Sequence, residues 1–390
     1  MGVPGLQTPW RRRMSGRDPG EEHRASTPLE LLFDLCFVVG VAQAAAQLAH
    51  GIEEGHAGSA VVGFAMVFFA IWWAWMNFTW FASAYDTDDV PYRVLTLLQM
   101  AGVLILAAGV PVALNDYDFR VVTIGYAVMR IPMVLQWLRV AREHPEGRQT
   151  AYRYAIGIGV VQVLWLLRLL LPHPLDHVGF AVLVLAEIAV PIWAERRHTT
   201  AWHPEHIVDR FGAFTIIVLG EVILAAAVAF GGAISDGLST QQIMVAVGGL
   251  LLMFTIWWTG FLGGDEHGLV TTRIALIWGY GHYLVFAAIA ALGAGLEVAV
   301  QDAAHEAHVA PLTVGYAVAI PVALVLVTNL VLRRIVWPQG SAAPLPVGAG
   351  AVVVLVCPLL APSAGIGVAV LVMGVVLVAV LVAFLRTRHT

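Results

Sequence analysis

Residues 26–43 read S-T-P-L-E-L-L-F-D-L-C-F-V-V-G-V-A-Q, an apolar run entered by two acids, Glu30 and Asp34. Four residues apart, the two carboxylates share one face of a helix. Thr27-Pro28-Leu29-Glu30 is a helix start, with Thr27 as N-cap, Pro28 at N1 and Glu30 closing a capping box. Glu30 therefore has an ordinary structural use. Asp34 lies about 9 Å past the helix start, where no cap can use it. If the run crosses a bilayer, an aspartate near its centre costs roughly 2.5–3.5 kcal/mol, and less near the interface. Two uses stay open for Asp34: an ion pair with an arginine such as Arg93 or Arg130, or a protonatable site. Gln43, nine residues on, continues the polar stripe.

Other residues carry similar tension. Arg130 falls near the middle of an apolar run and needs a partner; Glu187 and Glu221 lie at similar depth. His282 is also within an apolar run, as a hydrogen-bonded packing residue or a proton relay. Asp86, Asp88 and Asp89, with Arg93 after them, form an acidic loop without EF-hand spacing. His203 with His206, and His305 with His308, stand three apart, a weak zinc signal; no metal site is assigned. Trp72, Trp73, Trp75 and Trp80, with Trp257 and Trp258, read as an interfacial aromatic belt or a cavity wall. No nucleotide-binding loop, dinucleotide fingerprint or Ser/His/Asp pattern is present, so no cofactor is assigned.

The elements that must position these groups are transmembrane helices. Of 390 residues, 59% are hydrophobic and 12% charged, and mean hydropathy is +0.81. A soluble domain carries about 25% charge. Runs of about 20 apolar residues occur at 29–49, 59–82, 92–113, 120–141, 152–171, 177–195, 207–231, 241–262, 274–299, 312–333, 345–361 and 364–385. The eleventh is short and broken by Pro358. With twelve spans, 18 of the 21 arginines fall in segments on one side, the side of both termini. The positive-inside rule makes that side cytoplasmic. The expected fold is all-α and polytopic, with about twelve transmembrane helices.

An internal repeat is expected as well. I-W-W occurs at 71–73 and 256–258, and G-Y-A-V at 125–128 and 315–318. The domain reading is a disordered cytoplasmic arm at 1–26, a six-helix repeat at 27–198 and a second at 199–390. Parallel six-plus-six repeats are one architecture of secondary transporters. The two cysteines, Cys36 and Cys357, sit in apolar runs and read as buried small hydrophobes.

Two blocks carry a resemblance. T-P-L-E-L-L-F-D-L-C-F-V-V-G-V-A-Q at 27–43 and H-I-V-D-R-F-G-A-F-T-I-I-V-L-G-E-V-I-L at 206–224 resemble the bacterial low temperature requirement A (LtrA) proteins. The acidic loop is similar too. The resemblance implies signature positions at Glu30, Asp34, His206, Asp209, Arg210, Gly220 and Glu221; the family pattern has Glu where this chain has Asp209. It implies a link to growth in the cold and no defined chemistry. Three functions compete. The favoured one is an ion- or proton-coupled transporter or channel, with a site among Asp34, Gln43, Arg130, Glu187 and Glu221. Burial favours the neutral carboxyl, which lets such a site take up and release a proton. The second is a non-catalytic membrane or lipid-binding factor. The third is an intramembrane or lipid-modifying enzyme using Glu30, Asp34, Asp86, Asp88 and His206. The expected partners are the lipid bilayer, an unidentified small solute or proton, and a second copy of the chain; nothing points to nucleic acid.

Overall fold

A computed structural model describes residues 9–18, 20–21, 24–172, 174–237, 239–262, 265–304, 309–337 and 344–388. His305 and His308 lie outside them. Among the described residues every regular element is helical. The first six long helices are α1 (Pro28–Glu53), α2 (Ala57–Tyr85), α3 (Val90–Asn115), α4 (Arg120–Glu143), α5 (Arg148–Arg168) and α6 (Leu175–Ala194). Then come α7 (Pro204–Asp236), α8 (Thr240–Gly260), a single turn α9 (Asp265–Gly268), α10 (Thr272–Ala303) and α11 (Pro311–Val336). The chain ends with α12 (Pro344–Val356), a short 3-10 segment, α13 (Ala361–Ala364) and α14 (Ile366–Arg388).

Eleven helical stretches of the described residues are long and apolar enough to cross a membrane. The seventh expected span, 207–231, lies within the 33-residue α7. All twelve expected runs are thus helical, and most helices extend a few residues past the apolar core. Pro358 breaks the eleventh as expected: the backbone tightens to a 3-10 helix over Cys357–Leu360 and resumes as α13. A proline interior to a helix removes one hydrogen bond and crowds the preceding turn. Gly365, at φ +93°, then turns the chain into α14.

The chain forms two compact units. The first holds residues up to Gly40 and Ala70–Arg210; the second holds Val41–Phe69 and Phe211–Thr390. Their limits fall inside α1, α2 and α7. In the first unit, α3 and α4 pack through glycines. A Cβ placed on Gly102 would stand 2.8 Å from the Gly125 carbonyl oxygen. Small residues let two backbones approach where lipid supplies no hydrophobic drive between helices. In the second unit, a Cβ on Gly248 of α8 would meet the Val370 carbonyl of α14 at 2.7 Å. Val178, Val182 and Leu185 of α6 stay exposed at helical spacing, a face suited to lipid.

The I-W-W motifs are used differently in the two units. Trp72 and Trp73 are buried, whereas Trp257 and Trp258 are half exposed. The belt expectation fits the second pair and fails for Trp73 and Trp75, which turn inward.

Candidate functional site

The first unit holds two buried ion pairs. The first is built by α1, α2 and α7. Thr27 caps α1 as the spacing predicts: Thr27 N donates to Glu30 Oε2 at 2.7 Å, and Glu30 N donates to Thr27 Oγ1 at 3.3 Å. The capping box fixes Glu30, and one turn deeper it fixes Asp34 on the same face. Opposite them, α7 presents His206 and Arg210, also four apart. His206 Nε2 lies 3.0 Å from Glu30 Oε1, and Arg210 Nη2 donates to Asp34 Oδ1 at 2.6 Å. Trp75 of α2 donates its indole N–H to the same Asp34 oxygen at 2.6 Å. Asp34 and Arg210 are wholly buried, at 0% side-chain exposure. The partner of Asp34 is therefore Arg210. Arg93 instead forks onto Asp88 at 2.7 and 2.9 Å, exposed on the loop.

Much of this cluster's hydrogen-bonding capacity is unused within the protein. Asp34 Oδ2, Arg210 Nε and Nη1, both His206 ring nitrogens, Glu30 Oε1, Tyr92 OH and Thr79 Oγ1 are buried without a hydrogen-bond partner. The His206–Glu30 approach is close but poorly aligned for a hydrogen bond, so it counts as ion-pair distance only. Buried polar atoms are usually satisfied. A concentration of exceptions around one ion pair marks a place able to accept a proton, water or a small polar solute.

The second pair is Arg130 of α4 with Glu187 of α6, at 2.9 Å. Of the two acids considered for Arg130, Glu187 is the partner. Its carboxylate is saturated. Oε1 accepts from Tyr126 OH at 2.8 Å and Trp165 Nε1 at 3.2 Å. Oε2 accepts from Trp73 Nε1 at 2.8 Å and from Arg130. Arg130 also donates to Tyr126 OH and lies 4.6 Å above its ring. One carboxylate thus ties α2, α4, α5 and α6 together.

At the Pro28 end of α1 the acidic loop is built into the same unit. Asp89 caps α3 by accepting from Tyr92 N at 3.0 Å. It also takes Arg139 Nη1 and Nη2 at 2.9 and 2.6 Å, and Arg12 N at 2.8 Å. Burial pushes its carboxyl up, but these donors outweigh it and hold the group below the usual carboxylate range. Asp86, just past α2, is different. Burial and the neighbouring Glu30 charge raise it to about 6, against the weaker pull of Arg17.

The arm expected to be disordered, residues 1–26, carries no helix or strand over its described part, residues 9–18, 20–21 and 24–26, and that part is well anchored. Met14 is fully buried, and its N–H donates to Glu143 at 2.7 Å. Arg24 donates to the Ala82 carbonyl at 2.8 Å and to that of Ser83, while Arg17 N reaches the Ala84 carbonyl at 3.0 Å. All three carbonyls lie in the last turn of α2, the helix end that favours a cation such as Arg24; that of Ala82 also accepts from Asp86 N at 3.1 Å. Ser26 N and Oγ donate to Asp209 at 2.7 and 2.5 Å, which joins the start of α1 to α7.

Gln43, Gly220, Glu221 and His282 belong to the second unit, outside both clusters. Gln43 and Gly220 are exposed. His282 donates from Nδ1 to the Trp278 carbonyl at 2.8 Å and packs against Phe211, Trp278 and Phe286. Sequence reasoning missed Trp73, Trp75, Tyr92, Tyr126 and Trp165 as partners of the acids. A readable signal existed for Arg210: acids at 30 and 34 and bases at 206 and 210 share the same i, i+4 spacing. No group of three or more metal-ligating side chains with metal-binding geometry occurs among the described residues.

Eleven helical stretches of the described residues that are long and apolar enough to cross a membrane define a polytopic membrane protein. The chain matches the bacterial low temperature requirement A protein (LtrA) family over residues 25–383 and belongs to it. It is also similar to an uncharacterized protein of Rhizobium meliloti (strain 1021), 28% identical over 256 residues. That match spans 63% of this chain and 60% of the relative's length.

Proposed function

We propose that this protein is an ion- or proton-coupled transporter or channel of the bacterial cytoplasmic membrane, with Asp34 as its protonatable site. The observation that carries this reading is the buried Asp34–Arg210 pair, flanked by Glu30 and His206, with polar atoms on every member lacking a protein partner. A proton on Asp34 removes its attraction for Arg210 and leaves that guanidinium to Glu30. In a low-dielectric interior a change of one charge is large enough to favour a different helix arrangement. The expected six-plus-six repeat and cytoplasmic termini belong to this reading; the recurring I-W-W and G-Y-A-V stretches support the first and the arginine distribution the second.

The test is a proton flux assay in liposomes holding a pH-sensitive dye, driven by a potassium diffusion potential. Wild type moves protons, and Asp34→Asn loses at least tenfold of that rate while remaining folded. Glu221→Gln, in the second unit, keeps most of it. A folded wild type that moves no protons under any imposed gradient sinks the proton reading and favours a lipid-binding or enzymatic role.

A further inference from the structure

Asp86 is the first residue beyond α2, and its side chain is 4% exposed. Its Oδ1 accepts from Asp88 N at 3.0 Å. Its Oδ2 lies 3.9 Å from Arg17 Nη1, too far for a hydrogen bond. Arg17 spends its short contacts on Glu21, at 2.6 and 2.8 Å. The carboxylate is therefore buried with one backbone donor and one loosely held cation. A buried acid with a structural role is normally saturated, as Asp89 is three residues later.

The groups facing Asp86 come from every element around it. They are Arg17 and Arg24 from the arm, Glu30 from α1, Asp88 from the loop, and Tyr92 and Arg93 from α3. Glu30 in turn faces His206 and Arg210 and feels Asp34. Three carboxylates, Asp86, Glu30 and Asp34, thus run from the loop into the helix bundle. Tyr92 OH stands near Asp86, Glu30 and Arg210 without a hydrogen-bond partner.

We propose that Asp86 is the proton-exchange residue at the solvent end of the buried site, and that the Arg17 segment of the arm covers it. This rests on Asp34 being protonatable. Hydronium gives its proton to the Asp86 carboxylate and leaves as water. The acid then passes the proton inward to Glu30, directly or across Tyr92, whose oxygen accepts one proton as it gives its own to Glu30. Glu30 hands the proton on to Asp34, and Asp86 and Glu30 return to their carboxylates. A carboxyl held near pH 6 exchanges readily at physiological pH.

The test uses the purified full-length protein and infrared difference spectroscopy after a pH jump. The protonated-carboxyl band of Asp34 is assigned by its loss in Asp34→Asn. In Asp86→Asn that band forms at least tenfold more slowly; in Asp86→Glu it recovers to within about threefold of wild type. In Arg17→Gln, which loosens the cover, it forms faster. An unchanged rate in folded Asp86→Asn overturns the proposal and leaves Asp34 standing as the site. A wild type with no pH-dependent Asp34 band overturns both. If Asp86→Glu is as slow as Asp86→Asn, the residue acts through local structure and the proposal fails.

Discussion

The two buried arginine–carboxylate pairs of the first unit look alike in sequence and differ in their surroundings. Glu187 receives four donors over its two oxygens. Asp34 receives two on one oxygen and none on the other. The first carboxylate has no capacity left for a proton without losing a bond that holds a helix. The second can gain a proton on Oδ2 while Oδ1 keeps Trp75. On the proposed reading, saturation marks a fastener and unused capacity marks a site, although both pairs would be flagged equally by the rule that charges within apolar spans are functional.

The largest effect separating them is expected on stability. Glu187→Ala leaves Arg130 buried with only Tyr126 beside it. Breaking a buried pair in this way costs about 3–5 kcal/mol. Thermal unfolding in detergent should fall accordingly, and the double variant Arg130→Met with Glu187→Met should recover most of the loss. Asp34→Asn is expected to destabilise less, because Glu30 still faces Arg210 and the amide oxygen still accepts from Trp75. An Asp34→Asn protein as unstable as Glu187→Ala would collapse the distinction.

Next in size is Asp86. Its carboxyl is near 6 in the fold against an ordinary 3.8. The folded protein therefore binds more protons than the unfolded chain between those values. Stability is then lost as pH rises from about 4 to 6 and stays lower above it. That difference corresponds to about 3 kcal/mol. Asp86→Asn keeps an oxygen for Asp88 N and removes the charge. It should stabilise the protein at pH 7.5 by up to about 3 kcal/mol and change little at pH 4. Unfolding scans at the two pH values check the sign, which is opposite to that for Asp89. There the fold holds the carboxyl low, so Arg139→Gln should remove stability that is present at neutral pH and lost as pH falls below the usual carboxylate range.

How much of this was legible follows from range. The spans and the Pro358 break could be read because they depend on contiguous hydropathy and on local backbone chemistry. The cap at Thr27 and Glu30 is equally local. Asp34 and Arg130 stood out because each is costly alone, so the need for a partner was readable. The identity of the partner was not: Asp34 finds Arg210 across 176 positions, and nothing in hydropathy selects it over Arg93. Tryptophans 73 and 75 were hidden by their type, since the interfacial role is the default for Trp in a membrane chain. The arm was hidden by composition. Its arginines read as solvated, yet Arg17 and Arg24 meet three carbonyls in the last turn of α2, and helix ends carry no sequence mark for a distant donor.

The finest test of the comparison exchanges one donor at each pair. Trp73→Phe removes one of four donors from Glu187, and Trp75→Phe removes one of two from Asp34. Both delete an indole N–H to a buried carboxylate and keep most of the ring. A hydrogen bond to a charged group contributes about 1.5–3 kcal/mol, but the remaining donors share the charge differently. Glu187 keeps Arg130, Tyr126 and Trp165, so its loss belongs at the low end. Asp34 keeps Arg210 alone, so its loss belongs at the high end, and its carboxylate becomes easier to protonate. Trp75→Phe should therefore lower thermal stability more than Trp73→Phe. It should also shift the pH dependence of the Asp34 carboxyl band upward, whereas Trp73→Phe leaves that band in place. Equal stability losses with no shift would mean that the number of donors does not distinguish the two carboxylates, and that saturation carries no functional meaning in this unit.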